Sequence, residues 1–290
     1  MRARLADVQE CQESGTKDHP AALNGFILGV LGPLHINASD APDAPLIAPK
    51  LRSLLALLLI NSGHVVPVSA LMRELWEDHP PASALRTVQT YILNARKLLA
   101  RLSGLSAAEI VRSVLATRPG GYVFHCFGGE LDWLRFRGLT DSAVVCLARG
   151  DRDAAIRRFD EALGLWRGDA FADVPGGPVI ESKRREYEES RLGALEARAE
   201  TKINTGQHRE VIADLAALTA MYPLHEGVHA QYMRALSLSG RRAQALDVYL
   251  TLHTRLVTEV GIEPGRPIRQ IQSAILSSGL EPDRYELLHG

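Results

Sequence analysis

The stretch that decides the fold is Leu85–Leu102, LRTVQTYILNARKLLARL. Leu85, Val88, Ile92, Ala95, Leu99 and Leu102 recur at steps of three and four, the signature of one apolar face of an α-helix. The opposite side carries Ser83, Arg86, Thr90, Asn94, Lys97 and Arg101, with Leu93 at its edge and no acidic residue. Cations suit phosphates, and amide and hydroxyl groups suit base edges, so this face has the chemistry of a helix that lies in a DNA major groove. The same pattern also fits an ordinary solvated surface helix. What surrounds it separates the two.

Upstream, Lys50 to Asn61 reads as a helix with Leu51, Leu54, Leu55, Leu58 and Leu59 on its core face and Gly63 as its stop. Ser69 is a suitable N-cap for a second helix over Ala70 to Trp76, and Pro81 suits the first turn of the third. Still earlier, Phe26, Leu28 and Val30, then Leu34 and Ile36, flank a Gly32-Pro33 turn and predict a pair of short strands. A loop from Asp40 and a third strand at Leu46-Ile47 are expected to follow. Downstream, Val111, Val114 and Leu115 precede Pro119-Gly120-Gly121 and Tyr122–Phe124, a hairpin signal with Arg118 at its tip. Short strands, three helices and a hairpin make a winged helix-turn-helix, its third helix cationic.

Charge follows this plan. The formal net charge is −1, yet Lys50 to Cys126 holds nine basic and four acidic residues, net +5, while the flanking segments are each net −3. Cys11, Cys126 and Cys146 are odd in number and at no metal-like spacing, which suits a reducing cytoplasm. No signal-peptide pattern occurs, and the longest apolar run, Leu54–Ile60, is too short for a membrane span.

The chain divides into a flexible tail over 1–21, a winged-helix domain over 22–127 and a helical domain over 128–290, with the boundary at Gly128-Gly129. Beyond Glu130 strand signals vanish. Gly206-Gln-His-Arg-Glu-Val-Ile aligns with Gly240-Arg-Arg-Ala-Gln-Ala-Leu at an offset of 34, the tetratricopeptide period. Gly150-Asp-Arg-Asp-Ala-Ala-Ile matches both at an offset of 56 from Gly206, so a 22-residue insertion separates it from the next unit. The expected class is mainly α: an α+β winged helix followed by an all-α tetratricopeptide-like domain.

LGPL at 31–34, APKLRSLLALLL at 48–59, PPASALRTVQTYILNARKLL at 80–99, TRPGGYVF at 117–124, ALGLWRGDAFADV at 162–174, YPLHE at 222–226 and VGIEPG at 260–265 occur in order. In these the chain resembles the Streptomyces antibiotic regulatory protein family: transcriptional activators with an OmpR-type winged helix and a bacterial transcriptional activator domain. The resemblance implies binding as tandem protomers to promoter direct repeats near the −35 region, recruitment of RNA polymerase holoenzyme, and control of an antibiotic or other secondary-metabolite gene cluster. It implies major-groove approach by Arg86, Thr87, Thr90 and Asn94, phosphate contact by Tyr91, Arg96 and Lys97, and minor-groove entry by Arg118. Members often carry a second polar residue where this chain has Leu93 and Ala95, and the linker Ser103–Glu109 before the wing is long.

An enzyme needs a constellation, and none is recognisable: no nucleophile elbow, paired carboxylates or H-E-x-x-H. His225 and His229 lie one helical turn apart and could hold a metal, but exposed repeat positions explain them better. There is no G-x-x-x-x-G-K-[ST], so no nucleotide or other cofactor is expected. The rival to a transcription activator is an interaction adaptor whose winged helix binds protein or non-specific DNA.

Overall fold

The computed structural model describes residues 26–38, 48–126 and 129–277. The expected tail over 1–21, the loop from Asp40, the Leu46-Ile47 strand and the start of the expected domain boundary at Phe127 and Gly128 lie outside the described residues. The chain forms two compact units, one up to Gly138 with Gly164–Glu189, the other Leu139–Leu163 with Ser190 onward.

In the first unit, β1 (Phe26–Gly29) and β2 (His35–Ala38) pair antiparallel, as the alternation predicts. A third strand, β6 (Glu130–Leu131), adds to β1 in parallel, although the sequence there carries no strand signal. Helix α1 (Pro49–Ile60) buries leucines nearly all round, and its Ser53 hydroxyl donates to the Pro175 carbonyl at 2.6 Å. β3 (Val65–Pro67) leads straight into α2 (Val68–Trp76). Ser69 thus lies inside the first turn and Pro67 is the cap, because the Val68 amide is already bonded to the Gly120 carbonyl. Helix α3 (Ala84–Ser103) starts after Pro81, not at it, and ends on left-handed Gly104.

The linker after α3 is helical where the β-branched residues predict strand. Ser106 and Glu109 form a reciprocal capping box that starts a turn over Ala107–Glu109, and a π-helical turn carries Ile110–Val114 onward. The wing itself is β4 (Leu115–Arg118) and β5 (Gly121–Phe124), with β5 central between β4 and β3. Gly121 packs so tightly on the Val66 carbonyl that a Cβ there has no space, whereas Gly120 is needed for its left-handed φ of 79°.

The segment Gly164–Glu189 is sewn to the first unit by backbone. The amides of Arg167 and Phe171 donate to the carbonyls of Leu31 and Val30 at 2.8 and 3.0 Å. The buried Asp132 carboxylate accepts from the amides of Val30 and Leu31 and from the Arg167 guanidinium. Burial pushes its pKa up, and these bonds oppose the shift. Glu74, also buried, accepts from the amides of Gly177, Val179 and Ile180, capping a long helix. Trp133 and Phe171 stack on Tyr187.

The helices that follow are α4 (Asp132–Ala148), α5 (Arg152–Leu163), α6 (Pro178–Asn204), α7 (Ile212–Met221), α8 (Glu226–Leu238), α9 (Arg242–Arg255) and α10 (Arg266–Ser277). Gly150, Gly206 and Gly240 occupy equivalent turns between α4 and α5, α6 and α7, and α8 and α9, each with φ near 80°. Ala155, Val211 and Ala245, the matched small sites, are all buried. The repeats read from the sequence are helical hairpins. In the second unit, Leu192, Ile203, Leu215 and Val228 form one apolar cluster, and Met233, Tyr249, Leu252 and Ile268 another. Arg198 bridges Asp160 and Asp214 across α5 and α7.

Candidate nucleic-acid interface

Helix α3 buries Ala84, Val88, Ile92, Ala95, Leu98 and Leu99. Leu85, expected in that row, is exposed, and Leu98 fills the core in its place. Arg86, Gln89, Thr90, Leu93, Asn94, Lys97 and Arg101 are exposed together. With Gln89 included, the open face is wider than its polar periodicity suggests, and Leu93 falls in its middle. Thr87 and Tyr91 are half-buried at the flank. The three-four spacing puts Gln89 beside Leu85 on the core side and so hides it; its amide has the donor and acceptor that adenine recognition uses.

The hydroxyls of Thr87 and Thr90 each donate back to the carbonyl four residues earlier, Ser83 and Arg86, at 3.0 Å. They retain acceptor lone pairs. Their donor capacity is committed within the helix.

Arg96 stands apart from the open face. Its Nε donates to the Leu115 carbonyl at 3.0 Å and its Nη2 to the Thr117 hydroxyl at 2.9 Å, with the guanidinium 5.9 Å from the Tyr122 ring centroid. Burial lowers its pKa, partly offset by Tyr122. The residue grouped with phosphate contacts is a strut between α3 and the wing. Arg118 is exposed at the end of β4 beside the Pro119-Gly120 turn, its Nη1 within 3.3 Å of the Thr117 carbonyl. Arg112 is exposed one segment earlier. The structure therefore brings Arg86, Thr90, Asn94 and Lys97 together on one face, sets Arg118 on the wing, and turns Arg96 inward.

The histidine pair does not occupy the exposed repeat positions expected of it: His225 is half-buried and His229 is buried. His225 caps α8, its Nδ1 accepting from the Val228 amide, and His229 is 4% exposed with Nδ1 3.0 Å from the His225 carbonyl. Burial lowers the pKa of His229. Among the described residues no group of three or more His, Cys, Asp or Glu is arranged to hold a metal ion. No described helix is long and apolar enough to cross a membrane.

Residues 45–124 match the family model "Transcriptional regulatory protein, C terminal", and residues 131–276 match "Bacterial transcriptional activator domain". The regulatory protein DnrI of Streptomyces peucetius is 43% identical over 257 residues, 89% of this chain and 94% of that one. The chain belongs to the Streptomyces antibiotic regulatory protein family. The regulatory protein AfsR of Streptomyces griseus is 33% identical over 93% of this chain, which spans only 26% of AfsR. A solved structure of Mycobacterium tuberculosis EmbR, in complex with a low-affinity phosphopeptide, superimposes with a TM-score of 0.79 at 34% identity, over 88% of this chain and 65% of that one. Family membership makes the winged helix an OmpR-type DNA-binding module and the chain a transcriptional regulator of the activator class.

Proposed function

We propose that this regulator binds direct repeats near the −35 region of a promoter as head-to-tail protomers, recruits RNA polymerase holoenzyme, and switches on an antibiotic or other secondary-metabolite gene cluster in the cytoplasm. The observation that carries DNA recognition is the open face of α3, where Arg86, Gln89, Thr90, Asn94, Lys97 and Arg101 are exposed with no acidic side chain among them. In this reading Asn94 and Gln89 address base edges, Arg86, Lys97 and Tyr91 address phosphates or guanine, and Thr87 and Thr90 contact bases through methyls and lone pairs. Arg118 enters the minor groove from the wing. Arg96 acts indirectly, by holding the wing. The helical repeats offer the surface for polymerase and for the neighbouring protomer. The likeness to the regulatory protein DnrI along nearly its whole length supports a regulatory role for the chain as a whole.

Footprinting on the DNA that flanks the chain's own gene tests the reading. Two protected half-sites about one helical turn apart are expected, roughly 10–11 bp. Inserting about 5 bp between them turns one half-site to the opposite face and abolishes cooperative binding. Salt-sensitive binding with no protected sequence would overturn sequence-specific activation in favour of an adaptor.

A further inference from the structure

We infer that Leu93 reads the methyl group of a thymine in each half-site; this rests on α3 being the DNA-reading helix. Leu93 is 51% exposed. At about 100° per residue it falls about 20° from Arg86 and about 40° from both Gln89 and Lys97, inside the polar face and not on its border. Packing does not need it there, because Ala84, Val88, Ile92, Ala95, Leu98 and Leu99 already fill the buried side.

The surroundings select the ligand. An isobutyl group pressed on a phosphate or a polar base edge strips water from that group and returns no hydrogen bond. Among the base edges of the major groove, only the C5 carbon of thymine carries an apolar methyl. Thr90, about 60° away and exposed, adds to the apolar character, since its hydroxyl proton is given to the Arg86 carbonyl. Asn94 follows Leu93 directly, and its amide matches the N6 and N7 pattern of adenine. The centre of the reading face is thus built for A·T pairs, with Leu93 supplying the thymine contact.

The test uses the full chain and the footprinted operator. Each thymine is replaced in turn by deoxyuridine, which removes the methyl and keeps the pairing. One position per half-site should weaken binding about three- to fivefold, the share of one buried methyl. Leu93→Ala should weaken binding to the natural operator by a similar factor and be indifferent to uridine at that position. Leu93 is exposed, so the variant should melt like the parent. Uniform indifference of the parent to uridine overturns the inference while leaving DNA recognition standing. So does a uridine effect that persists in Leu93→Ala, including one that disappears in Thr90→Ala. Absence of any footprint overturns the recognition reading and this inference with it.

Discussion

Arg96 on α3 donates from Nη2 to the hydroxyl of Thr117 on β4 over 2.9 Å, so α3 and the wing are fastened by one side chain. A second bond from Nε to the Leu115 carbonyl fixes the plane of the guanidinium. Lysine cannot reproduce this fork. Arg96→Lys and Arg96→Ala should each cost about 1–2 kcal/mol in urea unfolding. Both should weaken operator binding while leaving the dependence of log affinity on log salt at its parental slope. If Arg96→Lys binds like the parent and Arg96→Ala lowers the slope by about 1, then Arg96 contacts a phosphate after all.

Asn94 and Lys97 are exposed on the same face but differ in what they can read. Asn94→Ala should cost about 1–3 kcal/mol on the natural operator and flatten preference at one base pair. Lys97→Ala should weaken all sequences alike and reduce the salt slope by about 1. Binding measured across single-base operator variants at several salt concentrations distinguishes them; two identical profiles would refute the division of roles.

Gly120 and Gly121 adjoin in the wing but fail differently. Gly120→Ala meets open space and pays only for its left-handed backbone, about 1 kcal/mol. Gly121→Ala forces a Cβ onto the Val66 carbonyl oxygen and must part β5 from β3. Thermal melting should rank Gly121→Ala well below Gly120→Ala. Equal melting points would mean that β3 yields freely.

Glu74 satisfies three amides at the start of α6. Glu74→Ala leaves them without that acceptor and should destabilise the first unit by about 2–4 kcal/mol in denaturant unfolding. Glu74→Gln keeps one acceptor oxygen and should lose less. A loss under about 0.5 kcal/mol for Glu74→Ala would show that water replaces the carboxylate.

His229 gives a pH dependence of defined sign. Burial holds its pKa in the folded chain below the ordinary imidazole value. Its contribution is intact above about pH 6.5, where the unfolded chain is also neutral. As pH falls below that, the unfolded state gains a proton that the folded state refuses, and stability drops until the folded pKa is passed. His229→Gln should flatten the stability profile on the acid side. An unchanged acid limb would exclude His229 as its source.

The local elements were legible because their causes are local. The three-four spacing of Val88, Ile92, Ala95 and Leu99 forces an amphipathic helix, and Pro119-Gly120-Gly121 forces a tight hairpin. The glycine-led repeats at Gly150, Gly206 and Gly240 announce their hairpins, because left-handed turns strongly favour that residue. Leu85 and Leu98 exchanged roles because both lie at the margins of the apolar stripe, where only the shape of the neighbouring elements chooses between them.

The remainder was decided in three dimensions. Arg96 and Lys97 are adjacent cations in sequence, yet one turns to the Leu115 carbonyl and the other to solvent. The membership of Gly164–Glu189 in the first unit rests on the Gly177 amide meeting Glu74 and the Arg167 amide meeting the Leu31 carbonyl, pairings 103 and 136 residues apart that each use a main-chain group. Main-chain donors and acceptors are the same at nearly every position, so no residue pattern encodes such pairings. Sequence alone determined the helices, the wing and the repeats; tertiary structure decided which cations remain free and where one unit ends, because both depend on backbone groups brought close only by the fold.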